Sequence, residues 1–158
     1  MTIKNRLDDL KIELPPFNNA AANYLPASRS GNLVFTAGQT PKIKGILQYT
    51  GQVRDNNIED GQNAAKLCAL NCLSILDECA GGLDNISRII KVTGFVNAEY
   101  GFEKHAKVLD GATNMLVDVF GEIGRPARSA IGVASLPGNA MCEIEMVVEL
   151  KVSILSKL

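Results

Sequence analysis

A turn signal near the C-terminus constrains this chain more than any other feature of its sequence. Pro-Gly-Asn at 137–139 separates two runs with strand character, Ala127 to Val133 and Met141 to Val152. These turn residues either fix φ or tolerate a positive φ, so they are typical of a tight connection between strands. We therefore predict two neighbouring antiparallel strands, with Arg128 and Glu143 on adjacent strands.

The second of these runs alternates in polarity, as a strand with two different faces does. One set of alternate positions is apolar: Cys142, Ile144, Met146, Val148, Leu150 and Val152. The other set is mostly charged: Glu143, Glu145, Val147, Glu149 and Lys151. We expect the first set to face a core beneath helices and the second set to face a partly wet interface or cleft.

Two longer segments repeat apolar residues at helical spacing. The first follows capping residues at 55–60, ends at Gly81-Gly82, and carries the stripe Ala65, Cys68, Ala69, Cys72, Leu76, Cys79 and Ala80. The second stops near Gly121 and carries Phe102, Ala106, Leu109, Ala112, Leu116, Val119 and Phe120. Three of the four cysteines fall on the first stripe, so we interpret them as small core residues rather than as metal ligands or disulfides.

The rest of the chain adds a short helix and further strands. Thr2 can cap a helix that ends at Leu14-Pro15-Pro16, since proline cannot continue the hydrogen-bond ladder. Ser30-Gly31-Asn32 predicts a hairpin turn. The remaining strands are predicted at Tyr24–Arg29, Leu33–Gly38, Ile46–Tyr49 and Ile89–Val96.

This order of elements predicts an α+β fold with a six-stranded mixed sheet, two long helices on one face and an additional N-terminal helix. With 158 residues, 46% of them hydrophobic, the chain can build one ordinary core. We divide it into an N-terminal helix and linker at 1–16 and a single domain at 17–158. The sheet face without helices needs a partner, and further copies of the chain would supply one.

Composition limits the other partners. No run approaches the ~20 apolar residues that span a bilayer and no secretory segment is visible, so we expect a cytoplasmic protein without a membrane partner. The net charge is -1 and the basic residues are scattered, so nucleic acid is not an expected partner. His105, the only histidine, has no second ligand at metal-binding spacing, and no glycine-rich loop opens a helix. We therefore expect no metal and no other cofactor.

Arg128 is the first candidate binding residue, because its planar guanidinium can hold a small carboxylate by two parallel hydrogen bonds. The alternative is a solvated arginine on a strand. Gly38, followed by Gln39, can let the backbone approach a ligand closely, although a glycine that merely ends a strand is the commoner case.

The motifs resemble those of a known family. Pro-Ala-Arg-Ser at 126–129, followed by Glu-Ile-Glu-Met at 143–146, is similar to the signature of the YjgF/RidA family of reactive-imine deaminases. Asn23-Tyr24 and the segments 31–41 and 91–97 extend the resemblance over Asn23 to Val152. Residues 68–71 and 130–134 resemble the divergent branch labelled YjgF/chorismate-mutase-like endoribonuclease (L-PSP).

The resemblance implies a chorismate-mutase-like fold, a homotrimer with clefts between subunits, and a set of site residues. Arg128 would bind a substrate carboxylate and Glu143 would hold or activate water, while Tyr24 would cover the ligand. Gly38 would also contact substrate. Two further substrate-binding positions carry Ala37 and Ala130, where the best-known deaminases have a hydroxyl and a thiol, which implies a more apolar pocket.

Three functions follow as hypotheses. The first is hydrolytic deamination of small 2-imino or 2-enamino acids, with Arg128 and Glu143 as the catalytic pair. The second is a small-carboxylate-binding or regulatory trimer without turnover, because Ala37 and Ala130 cannot hydrogen-bond a ligand. The third is the endoribonuclease that the branch label implies, which the absence of a basic patch and of a general-base histidine disfavours.

Overall fold

The computed structural model describes residues 1–20 and 22–152. The helices are α1 (Ile3–Asp9), α2 (Ile58–Ala80) and α3 (His105–Phe120). The strands are β1 (Ala27–Ser30), β2 (Leu33–Thr36), β3 (Lys42–Ile43), β4 (Ile46–Leu47), β5 (Ile86–Asn97), β6 (Ala127–Val133) and β7 (Cys142–Leu150). Short 3-10 turns lie at Leu83–Asn85, Gly121–Gly124 and Pro137–Asn139.

The main sheet has the strand order β1-β2-β7-β5-β6. β5 and β6 run parallel, and the other neighbours are antiparallel. The long helices α2 and α3 pack on each other and on one sheet face, and the core lies between. The predicted α+β class and mixed sheet are therefore confirmed.

The predicted strand count needs a correction, because within residues 1–20 and 22–152 the main sheet has five strands and not six. The run expected at Ile46 to Tyr49 forms only Ile46–Leu47, which pairs with Lys42–Ile43 in a separate hairpin. Lys44 and Gly45 close that hairpin with positive φ values of 50° and 81°. Because of this tight turn, β4 pairs with β3 and does not join the main sheet.

The predicted pairing of the two C-terminal strands is wrong, because β5 lies between β6 and β7. Arg128 is opposite Val92 on one side of β5, and Glu143 is opposite Phe95 on the other side. Residues 137–139 do form a turn, but it sits inside a longer connection that crosses the end of β5. Met141 N donates to the Tyr49 carbonyl at 3.2 Å and fixes that connection.

Helix α2 ends as predicted at Gly81, whose φ of 65° places it in the left-handed region that terminates helices. Cys68 and Cys72 are buried on the side of this helix that faces the sheet, and Cys142 is buried on β7. Burial raises the pKa of Cys72 and of Cys142 to about 12, so both thiols are structural. The prediction that Cys79 is a core residue is wrong, since its side chain is exposed.

The N-terminal helix is shorter than predicted and is fixed to its own domain. Thr2 caps it as expected, but it ends at Asp9 because Lys11 adopts a φ of 54°, well before the two prolines. The backbone N–H of Ile3 donates to the Asp84 carboxylate at 2.9 Å, and Arg6 Nε donates to the Asp118 carbonyl at 2.8 Å. Within the described residues, no helix is both long and apolar enough to cross a membrane.

Candidate functional site

A cleft of about 370 Å³ lies beside the first residues of β7 and brings three predicted site residues together. Tyr24, Gly38 and Glu143 all line it. The remaining lining residues are mostly polar: Asn18, Asn19, Ala20, Pro26, Gln39, Thr40, Lys42, Gly45, Asn71 and Pro137. We call this the Glu143 cleft. Polar side chains beside apolar surface suit a small ligand that carries both kinds of group.

The close approach of Gly38 to Glu143 follows from a short extension of the sheet beyond β2. Gln39 N donates to the Ile144 carbonyl at 2.8 Å, and Ile144 N donates to the Gln39 carbonyl at 3.0 Å. This pairing places Gly38 against the neighbouring Glu143. A Cβ atom at position 38 would collide with Glu143 Oε1, the movable end of that side chain, so glycine leaves the room that Glu143 occupies here.

Glu143 is half-buried, and its electrostatic surroundings favour the protonated form. Burial raises the pKa of Glu143 above the usual glutamate range, and the charge of Glu145 raises it further, while Lys42 lowers it. A raised pKa brings a carboxyl group nearer to the range in which it can both accept and return a proton. The cleft therefore holds a candidate general base.

Asn71 positions the backbone on the far side of the Glu143 cleft. Its side chain is 7% exposed within α2, and its amide Nδ2 donates to the carbonyls of Thr40 and Lys42 at 3.1 and 2.9 Å. Sequence reasoning named Gln39 only as the neighbour of Gly38, and it selected neither Asn71 nor Lys42 as a site residue. A polar side chain inside the apolar stripe of α2 was the available signal for Asn71, whereas the other two depend on the path of the loop.

Tyr24 lies at the rim of the cleft, outside any strand, and is 55% exposed. Ala37, the residue before Gly38, is half-buried, and its N–H donates to the Pro26 carbonyl at 2.8 Å. That bond ties the Tyr24 segment to the end of β2. Ala37 does not line the cleft in this chain.

Arg128 lies on the other face of the sheet, where β6 meets α3. Its guanidinium nitrogen Nη1 donates to Asp110 Oδ1 at 2.9 Å and to Thr113 Oγ1 at 3.0 Å, and the side chain is 23% exposed. We call these three residues the Arg128 seam. Ala130, two residues along β6, packs against the core on the same strand.

The structure does not bring Arg128 and Glu143 together within one subunit. Cys142 and Ile144, which flank Glu143, are buried beneath α2, so Glu143 projects from the helix-free face. Arg128 contacts residues of α3 and projects from the helix-covered face. β5 also separates the two strands.

A second cleft, of about 520 Å³, lies at the carboxyl ends of β5 and β6. It is lined by Tyr100, Phe102, His105 and Gly132 among others. The His105 ring packs edge-on against Phe102, with centroids 5.2 Å apart, and a Cβ atom at position 132 would collide with its Nε2. His105 is therefore remote from Glu143 and cannot share its cleft within one subunit.

Comparison with known proteins places this fold and these motifs in one family. Residues 4–150 match the family described as "YjgF/chorismate mutase-like, putative endoribonuclease". The chain is 38% identical over 148 residues to Protein TCP17 of Trypanosoma cruzi, with 91% of each chain covered. It is 30% identical over 126 residues to a 2-iminobutanoate/2-iminopropanoate deaminase of Dermatophagoides farinae, covering 79% of this chain and 84% of the relative.

Solved structures of the same family share the fold of this chain. The crystal structure of a "putative endoribonuclease" from Shewanella oneidensis has a TM-score of 0.90 and 34% identity, and the match covers 95% of this chain and 100% of that chain. E. coli TdcF with bound serine has a TM-score of 0.62 and 26% identity, with 87% and 94% covered. The chain belongs to the YjgF/RidA family and has its chorismate-mutase-like fold.

Proposed function

We propose that this protein hydrolyses small 2-imino or 2-enamino acids to 2-keto acids and ammonia. The observation that carries the proposal is the half-buried Glu143 carboxyl group, held against Gly38 in a cleft that Tyr24 borders. The relative named as a 2-iminobutanoate/2-iminopropanoate deaminase supports this reaction class. The bound serine in TdcF supports a ligand with a carboxylate beside a nitrogen-bearing carbon.

In this mechanism Glu143 accepts a proton from a water molecule as the water oxygen bonds to the imine carbon. The electron pair of the C=N bond moves to nitrogen, which takes up a proton. In the resulting carbinolamine Glu143 transfers the hydroxyl proton to the amino nitrogen, the C–N bond breaks as the C=O bond forms, and ammonia leaves. An enamine first takes up a proton at carbon to become the imine. Arg128 holds the substrate carboxylate and orients the imine carbon.

The mechanism requires Arg128 and Glu143 to meet between subunits, since they project from opposite faces of the sheet in one chain. We propose a homotrimer in which each cleft takes Glu143 from one subunit and Arg128 from the next. The helix-free face carries exposed apolar side chains, with Phe35 and Ile131 each 43% exposed, beside polar ones. Such a surface suits burial against neighbouring copies. Light scattering should give a mass near three times 16.9 kDa, and a folded active monomer would contradict the shared cleft.

The test of the activity is release of ammonia and keto acid from an imine generated in the cuvette by an amino-acid oxidase. We expect the protein to accelerate hydrolysis well above the buffer rate, and Glu143→Gln to abolish the acceleration. Wild-type protein that leaves the buffer rate unchanged with every imine tested would refute the proposal. We place the reaction in the cytoplasm, and imaging of a tagged chain tests that assignment.

A non-catalytic carboxylate-binding trimer is the second candidate, because Ala37 and Ala130 offer no hydrogen bond to a ligand. Saturable binding of a small carboxylate without turnover of any imine would favour it. The endoribonuclease is the third candidate and takes support from the family description alone. It requires RNA cleavage that remains with the protein through purification and disappears in Glu143→Gln.

A further inference from the structure

The Glu143 cleft contains a second charged side chain that the proposed hydrolysis does not use. Of its lining residues only Lys42 and Glu143 carry charge. Among the described residues Lys42 forms no ion pair, whereas the ion pairs that do form involve Arg54, Lys104, Arg125 and Arg128. The Lys42 ammonium group is thus available to a ligand.

The backbone of Lys42 is fixed, so the ammonium group extends from a defined point. Asn71 uses both hydrogens of its buried amide on the carbonyls of Thr40 and Lys42. Lys42 N donates to the Thr40 carbonyl at 2.8 Å, and β3 pairs with β4 beyond it. A lysine on a mobile loop would lose more conformational entropy on binding than one anchored in this way.

The proposed site contains two cationic side chains, Arg128 and Lys42, whereas a ligand with a single carboxylate needs only one. One substrate carboxylate requires one cation, and Arg128 of the neighbouring subunit supplies it in the proposed mechanism. Lys42 adds a second cation beside Glu143. A second carboxylate on the ligand would bind the Lys42 ammonium group. The positive charge of Lys42 would also offset the repulsion that Glu143 exerts on an anionic ligand.

We infer that the cleft selects 2-imino acids that bear a second carboxylate on the side chain, with Lys42 as the residue that binds this distal group. This inference rests on the proposed function for its reaction, but the selectivity for a dicarboxylate can be measured by binding alone. Lys42 is then a specificity-determining residue rather than a catalytic one.

The experiment compares the imine of aspartate with the neutral imine of norvaline in wild type, Lys42→Met and Lys42→Arg. Lys44→Met is the matched control, because Lys44 lies on the same hairpin and does not line the cleft. Rates are measured at a pH at which Glu143 is ionised in every variant. We expect Lys42→Met to lower kcat/KM for the aspartate imine by about tenfold or more. The value for the norvaline imine should change by about twofold or less, and Lys42→Arg should retain the preference.

The outcomes separate this inference from the proposed function. An equal loss on both imines in Lys42→Met, or a wild type without preference for the diacid, overturns the inference and leaves imine hydrolysis standing. Turnover of neither imine refutes the proposed function, and titration calorimetry with succinate and butyrate then decides the inference. Tighter binding of succinate that Lys42→Met alone removes supports it, and equal binding of both acids overturns it.

Discussion

The Glu143 cleft and the Arg128 seam differ in how their functional groups are held. In the cleft, the Glu143 carboxyl group fits into the space that Gly38 leaves free. Its burial there raises its pKa. In the seam, the guanidinium is held by partners, since Asp110 and Thr113 occupy one of its nitrogens. A cleft group poised by burial is suited to proton transfer, whereas a group with paired donors is suited to orienting an anion with its remaining N–H groups.

Replacing the proton acceptor should have the largest effect. Glu143→Gln preserves the size of the side chain but cannot accept a proton, so we expect turnover to fall by about 10²- to 10⁴-fold. The melting temperature should stay close to that of the wild type, because a neutral amide is no harder to bury. Turnover within a few-fold of the wild type would remove Glu143 from the chemistry.

Filling the space beside Glu143 tests whether shape holds the cleft together. Gly38→Ala should displace the carboxyl group, because the far end of that side chain can move, and we expect a loss of activity on the order of 100-fold. The fold should survive, as a thermal melt will show. The double variant Gly38→Ala/Glu143→Gln should be no less active than Glu143→Gln alone, since both changes act through the same group.

A change in the seam should act on binding rather than on proton transfer. Arg128→Lys keeps the charge but loses the planar fork, which we expect to raise KM by the equivalent of ~1 to 3 kcal/mol. The stability of the fold should be nearly unchanged, because a lysine can still face Asp110. If instead the substitution unfolds the protein and leaves ligand binding intact, then Arg128 serves the seam alone.

The pH dependence of activity should show a smaller effect that also reports on the Glu143 cleft. Glu143 must be ionised to accept a proton, so activity should fall as pH is lowered through a pKa above that of an ordinary glutamate. Glu145→Gln should shift this acid limb to lower pH and Lys42→Met should shift it to higher pH. Because the pKa is higher in the folded state, the stability of wild type relative to Glu143→Gln should decline as pH rises through it. A limb that neither substitution moves belongs to another group.

The sequence predicts α2, α3 and β7 of this chain well because their signals are local. The apolar stripe of α2 and its terminal Gly81 define that helix, and the alternation from Cys142 to Leu150 defines β7 and its two faces. Val152, assigned to the core face by the same alternation, lies beyond the strand and is 72% exposed. Periodicity identifies an element but sets its end only approximately.

The strand order could not be predicted from the sequence as well, because it depends on contacts between distant parts of the chain. Pro-Gly-Asn at 137–139 is a true turn, yet nothing near it shows that β5 fills the space between β6 and β7. The same limit explains the site. The motifs select Tyr24, Gly38 and Glu143, which share a cleft, but the placement of Arg128 on the opposite face follows only from the full topology.

The most direct test of the account is a subunit-mixing experiment with two inactive variants. Arg128→Ala and Glu143→Gln are unfolded together in equal amounts, refolded and assayed for imine hydrolysis, with each variant refolded alone as a control. If each site takes Glu143 from one subunit and Arg128 from the next, random trimers contain about one intact site in four. We therefore expect about a quarter of wild-type activity from the mixture and almost none from either variant alone. A mixture no more active than its parents would contradict a site shared between subunits.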